Sequence, residues 1–287
     1  MSGEPARVPA GPPVTLCADD FAISAAVSAG IEELAAAGRL SATSAMVTFA
    51  EWPQLARRLA ALRKTIAVGL HINLTVGAPL GPMRTLAPGG AFPAVGALTL
   101  KAGRGGIDTA EVAAEVSRQL ETFQQCTGFA PDFADGHQHV HALPGIRGGV
   151  LAALRLHAER EGRPLLVRDP SDRVTRILQR GASIPKALQV SALAAGFGRA
   201  VRAAGLTAND GFSGFSDFET AKPYARELEA GFVAPGPRQL MMCHPGHVDA
   251  ALEARDGVTL RREQEYRALM TAEGLRERLW RPGTQAR

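Results

Sequence analysis

Val14-Thr15-Leu16-Cys17-Ala18-Asp19-Asp20 is an apolar, strand-like run that ends in two adjacent carboxylates. The pattern recurs along the chain. His71 ends the run Val68-Gly69-Leu70-His71, His137, His139 and His141 follow a strand candidate at 132–136, and His244 and His247 follow one at 238–243. Six of the seven histidines thus fall in three clusters, each at a candidate strand end, while His157 sits in a helix pattern and is given no function. The His71 run is a strand predicted at 66–71, and further strands are predicted at 43–49, 164–168 and 206–212. Between them lie helix patterns. One runs over 24–37, capped by Ser24 and stopped by Gly38, and one over 108–125, opened by Asp108 with Glu111 three residues on. Others cover 52–62, 144–161, 171–204, 217–230 and 261–273.

Strands alternating with helices about seven times predict parallel βα units. In such folds the carboxyl ends of the strands form the active face. Four polar motifs at four strand ends favour an α/β, irregular TIM-like (β/α) barrel over a single crevice. Residues 14–287 are expected to form it as one domain behind a flexible tail at 1–13. The stretch 76–106, rich in Gly and Pro, is expected to be a lid.

Bulk composition excludes several classes. Lys and Arg number 32 against 28 Asp and Glu, a net charge of +4 with no basic block, so no nucleic-acid partner is expected. No apolar run reaches a membrane span, and residues 1–13 lack the apolar core of a signal peptide, so a cytoplasmic location is expected. Cys17, Cys126 and Cys243 form no CxxC pair and read as free thiols rather than a disulfide framework. No GxSxG elbow, P-loop or GxGxxG after a strand is present. Composition leaves open whether the chain forms a homo-oligomer.

The motifs themselves point to metal-assisted hydrolysis. Adjacent carboxylates repel and need a cation or a shared proton when buried. One can ligate a metal while the other accepts a proton from water. Asn73 and Thr75 share a face with His71 if the chain stays extended. His137, His139 and His141, at i, i+2 and i+4, share a face on the same condition. His244 and His247 flank Pro245-Gly246, a turn whose glycine could let a substrate approach the backbone. Arg168 and Asp210 follow two other strand candidates, where each could anchor substrate or pair on the surface.

Ala18-Asp19-Asp20-Phe21, Gly69-Leu70-His71, Asp135-x-His137-x-His139-Val140-His141 and Met242-Cys243-His244-Pro245-Gly246, in this order, resemble the YdjC-like carbohydrate deacetylases of the chitooligosaccharide deacetylase and HpnK type. The resemblance implies a TIM-like barrel that removes an acetyl group from an N-acetylated sugar. It implies one divalent metal ion held by Asp20, His71 and His137, with Asp19 as general base and His244 as acid or substrate contact. Asn73, His139, His141, Arg168, Asp210 and His247 remain candidates for supporting or substrate-binding roles. Two imidazoles and a carboxylate suit zinc or magnesium, with manganese and cobalt as alternatives. The chain departs from the family pattern at Ala22, where glycine is common, and at Gln138, which interrupts the histidines. Both departures bear on substrate preference. The alternatives are another metal-dependent amide or phosphoester hydrolase on the same barrel, and a catalytically silent sugar-binding protein.

Overall fold

In the computed structural model, which describes residues 4–283, the opening run becomes β1 (Thr15–Phe21), in the interior of an eight-stranded sheet. The other strands are β2 (Ala42–Ala45), β3 (Ala67–Ile72), β4 (Phe133–Gly136), β5 (Leu166–Val167), β6 (Thr207–Ala208), β7 (Gly211–Ser213) and β8 (Gln239–Cys243). Their order is β6-β5-β4-β3-β2-β1-β8-β7, and every pairing is parallel.

The two edge strands of this order are consecutive in the chain, with only Asn209 and Asp210 between them. One extended stretch therefore pairs first with β5 and then with β8. The strand predicted at 206–212 exists, but split, and the split is the seam of an irregular TIM-like α/β barrel. Asn209 stitches this seam. Its amide donates to the Asp169 and Gly211 carbonyls at 2.9 Å each, and its oxygen accepts from the Asp169 N–H at 2.7 Å.

Strand alternation sorts side chains into two apolar layers. Leu16, Ala18, Met241 and Cys243 join the large core under the helices. Cys17, Ala42, Phe133, Phe212, Leu240 and Met242 form a smaller cluster inside the barrel. Phe215, with Ile177 and Ala187 from the helices Val174–Arg180 and Ile184–Leu193, completes that inner cluster. Gly69 in β3 is fixed by this packing, because a Cβ there would lie 2.5 Å from the Phe133 ring. Gly69→Ala is expected to cost about 1–3 kcal/mol through overpacking. Urea unfolding checks this, and an unchanged midpoint would show that the ring has room to move.

The helices largely follow their sequence signals. Ser24 caps Ala25–Ala36 by accepting from the Val27 N–H, and Asp108 caps Thr109–Thr127 by accepting from the Ala110 N–H. Two expectations need correction. The tail expected at 1–13 is anchored where it is described. Ala6 is buried, and the Val8 N–H donates to the Glu273 carbonyl; residues 1–3 lie outside the described residues. The stretch 76–106, expected to be irregular, contains a helix at Val95–Gly103 and is anchored to the body. Glu111 accepts from the Thr85 and Leu86 N–H groups, buried Glu115 accepts from Leu80, and Phe92 and Leu98 sit in the core. No helix among the described residues is long and apolar enough to cross a membrane.

Candidate metal centre

In a regular strand, Asp19 and Asp20 would point to opposite faces. β1 breaks the rule at this step. Asp20 adopts a left-handed conformation, φ +68°, and the pairing with β2 shifts register between Ala18 and Phe21. The bulge lets both carboxylates enter the same polar cluster, where both are buried. Ala22 is also left-handed at φ +69°, a conformation that glycine adopts at lower cost.

Three donor groups converge there. The Asp20 Oδ1 lies 3.1 Å from the His71 Nε2 and 2.9 Å from the His137 Nδ1. Ligand atoms of Asp20, His71 and His137 all lie within 4.8 Å of one another, and all three residues are buried. His71 is held from behind: its Nδ1 lies 2.7 Å from the Asp135 Oδ1 and 3.1 Å from the Ser44 Oγ. A carboxylate on one ring nitrogen leaves the other free to ligate, the usual support of a metal-binding histidine. The second oxygen of Asp20 accepts from Arg262 at 2.7 Å, and Arg262 also reaches Asp256 at 2.5 Å. The His137 Nε2 is buried with no hydrogen-bond partner. This donor set fits a divalent cation. Without one, burial disfavours a charged His71 ring, but Asp135 and Asp20 outweigh it and raise its pKa to about 10.

Asp19 faces a different cation. Arg168, fully buried, donates Nη1 to Oδ2 and Nη2 to Oδ1 of Asp19, each at 2.6 Å. The same Nη2 lies 2.5 Å from the Asp135 Oδ2. Burial alone would raise the Asp19 pKa, but Arg168 holds it well below the usual carboxylate range. Arg168 thus favours the ionised form of Asp19.

The histidine triple does not lie on one extended face. Gln138 and His139 are left-handed, at φ +54° and +60°, and residues 137–142 turn into a short 3-10 segment. The turn sends each ring elsewhere. His137 meets Asp20. His139 packs edge-on against Phe212 and Phe215, with centroids 5.5 and 5.8 Å away. The His141 Nε2 lies 2.8 Å from the Arg168 carbonyl, and its ring packs on Phe197. His141 thus braces the segment carrying Arg168.

His244 follows β8. Its Nδ1 is buried without a partner, and its ring meets Phe218 at 5.6 Å. Burial lowers its pKa to about 4, so it is neutral near pH 7. Its backbone N–H donates to the buried Glu265 at 2.6 Å. Burial raises the Glu265 pKa to about 7. A carboxyl with a raised folded pKa contributes stability that is lost as pH rises from its unfolded value through 7. Glu265→Gln, which still accepts the His244 N–H, is therefore expected to stabilise the protein by up to about 3 kcal/mol at pH 8 and by nothing at pH 4. Unfolding measured at both pH values checks the sign; equal effects would remove Glu265 as the titrating group.

Three candidates fall outside the cluster. His247 pairs with Glu33 at 3.2 Å and packs on Tyr266. Asp210 pairs with Arg238 on the surface. Asn73 spends its side chain on its own turn, donating to the Thr48 hydroxyl and Val76 carbonyl and accepting from Thr75 and Val76. The Gly246 reading also changes, because the helix Ala25–Ala36 occupies the approach. A Cβ on Gly246 would lie 2.9 Å from the Val27 Cα. The sequence reading missed the roles of Asp135, Ser44, Arg262 and Glu265. Asp135 had a legible signal, as a carboxylate at a strand end two residues before His137. Arg262 and Glu265 lie in a helix distant in sequence, with no local signal.

Fold and site together define an α/β barrel with a buried aspartate–histidine–histidine centre at the carboxyl ends of its strands. A family model described as "YdjC-like protein" matches residues 13–279, and the chain belongs to that family. Human "Carbohydrate deacetylase" is 36% identical over 152 residues, covering 51% of this chain and 46% of that protein. "Chitooligosaccharide deacetylase" of Yersinia pestis (strain Pestoides F) is 36% identical over 139 residues, covering 48% and 54%. These matches span about half the length of each relative. A crystal structure of an Enterococcus faecalis V583 protein named for cellobiose-phosphate cleavage shares the fold. Its TM-score is 0.67 at 20% identity, over 93% of this chain and 94% of that one.

Proposed function

We propose that the protein is a metal-dependent carbohydrate deacetylase, hydrolysing the amide of a small N-acetylated sugar. The observation that carries this reading is the buried Asp20, His71 and His137 centre, beside an ionised Asp19 locked by Arg168. The relatives named for carbohydrate deacetylation support the substrate class. Asp20, His71 and His137 would hold the ion, and two imidazoles favour zinc over magnesium. Such an ion would polarise the acetyl carbonyl and acidify water beside it.

The chain's own groups would then divide the proton work. Asp19, ionised at rest, accepts one proton of the attacking water and later releases it to solvent, and Arg168 fixes its direction. Water oxygen bonds to the carbonyl carbon, and the carbon–nitrogen bond breaks. His244 starts neutral, so its open Nδ1 first takes the second proton of the attacking water from the carbonyl adduct and then hands it to the departing amine. Acetate and the free amino sugar leave. The test is an acetate-release screen over N-acetylated mono-, oligo- and lipid-linked sugars, with phosphate release measured in parallel on phosphosugars. Acetate released and abolished by a chelator supports the reading. Phosphate without acetate would move the activity to the phosphoester alternative.

A further inference from the structure

The barrel holds a second cluster of metal-type donors next to the first. Cys17, Asp19 and Asp135 offer a sulfur and carboxylate oxygens that all lie within 4.8 Å of one another, and all three residues are buried. Donors around a single ion stand about 3–4 Å apart at the usual bond lengths, so the cluster has nearly the dimensions of a cage. Its two carboxylates already share a cation. The Arg168 guanidinium reaches Asp19 through two nitrogens at 2.6 Å and Asp135 at 2.5 Å. The side chains of these three residues are at most 3% exposed. Cys17 shares the inward face of β1 with Asp19, two residues apart. Asp135 links the two clusters, with one oxygen on His71 and the other on Arg168.

We propose that Arg168 is a fixed organic cation in a second metal-type cage formed by Cys17, Asp19 and Asp135. It does there what a second ion does in a two-metal hydrolase: it neutralises two buried carboxylates and aligns one of them on the reaction. Unlike an ion, it cannot be lost or exchanged, and it keeps a thiolate ligand out of the centre. The burial that raises the Cys17 pKa agrees with a thiol left protonated beside a guanidinium. The proposal builds on the metal reading of the neighbouring triad, but its test reads Cys17 alone and so fails separately from that reading.

The test is cobalt(II) titration of the full chain, following the cobalt–thiolate absorption band. The wild type is expected to show no such band at any cobalt level. Arg168→Ala and Arg168→Met, the second chosen to keep the side-chain stem, are expected to gain one, and Cys17→Ser in either background is expected to remove it. If a variant does not fold without metal, refolding in cobalt is expected to recover it together with the band. A folded Arg168 variant with no band overturns the proposal. So does a variant that cobalt fails to rescue, or a wild-type band that Cys17→Ser removes.

Discussion

Asp19→Asn is expected to lower kcat by about 10²- to 10⁴-fold, the range that a positioned general base supplies, while metal content stays at the wild-type level. The separation follows from the geometry. The Asp20 carboxylate is the one that touches His71 and His137, whereas Asp19 is bonded to Arg168. An asparagine can still accept from Arg168 but cannot take a proton from water. The expected result is an ion-loaded, folded and nearly inactive protein, checked by steady-state kinetics beside metal analysis of the same sample. Full activity in this variant would remove Asp19 from proton transfer. Loss of the ion together with activity would move Asp19 into the ligand set.

Arg168→Met, studied without metal, carries the second large effect. It leaves Asp19 and Asp135 buried with no guanidinium between them. Breaking a buried ion pair on one side costs about 3–5 kcal/mol, a large part of the roughly 5–15 kcal/mol that holds a domain folded. The charge on His71 offsets part of this, because its ring also touches Asp135. Urea unfolding in chelator measures the loss. A drop of less than about 1 kcal/mol, below the usual cost of a broken buried pair, would show that the carboxylates find another partner or a shared proton.

Much of the fold was legible because barrels repeat one local rule. Apolar runs ending in polar residues marked β1, β3, β4 and β8, and cap residues such as Ser24 and Asp108 marked helix starts. The seam was not legible. Residues 206–212 read as one strand, and nothing local says that its halves pair with opposite edges of the sheet. At the centre, residue types and strand positions pointed to the carboxylate pair and the histidine clusters, and the family resemblance singled out Asp20, His71 and His137, which the structure brings together. Face assignment by alternation failed wherever the backbone turns left-handed. That conformation separates His139 and His141 from His137, whereas at Asp20 it brings together the two carboxylates that were expected in one site. Such residues carry conformational strain of about 1–3 kcal/mol each, which persists where surrounding structure over-determines it. The supporting shell was the least legible part. Arg262 and Glu265 come from the helix Leu260–Thr271, more than a hundred residues beyond the histidine triple, and only three-dimensional packing sets them against Asp20 and His244.

The most direct measurement is metal content per chain in the wild type and in Asp20→Ala, His71→Ala and His137→Ala, with acetate release followed on the same samples. The account predicts about one divalent ion in the wild type, its loss in each variant, and deacetylation that disappears with it. Retention of the ion in all three variants, or undiminished acetate release without it, would contradict the account.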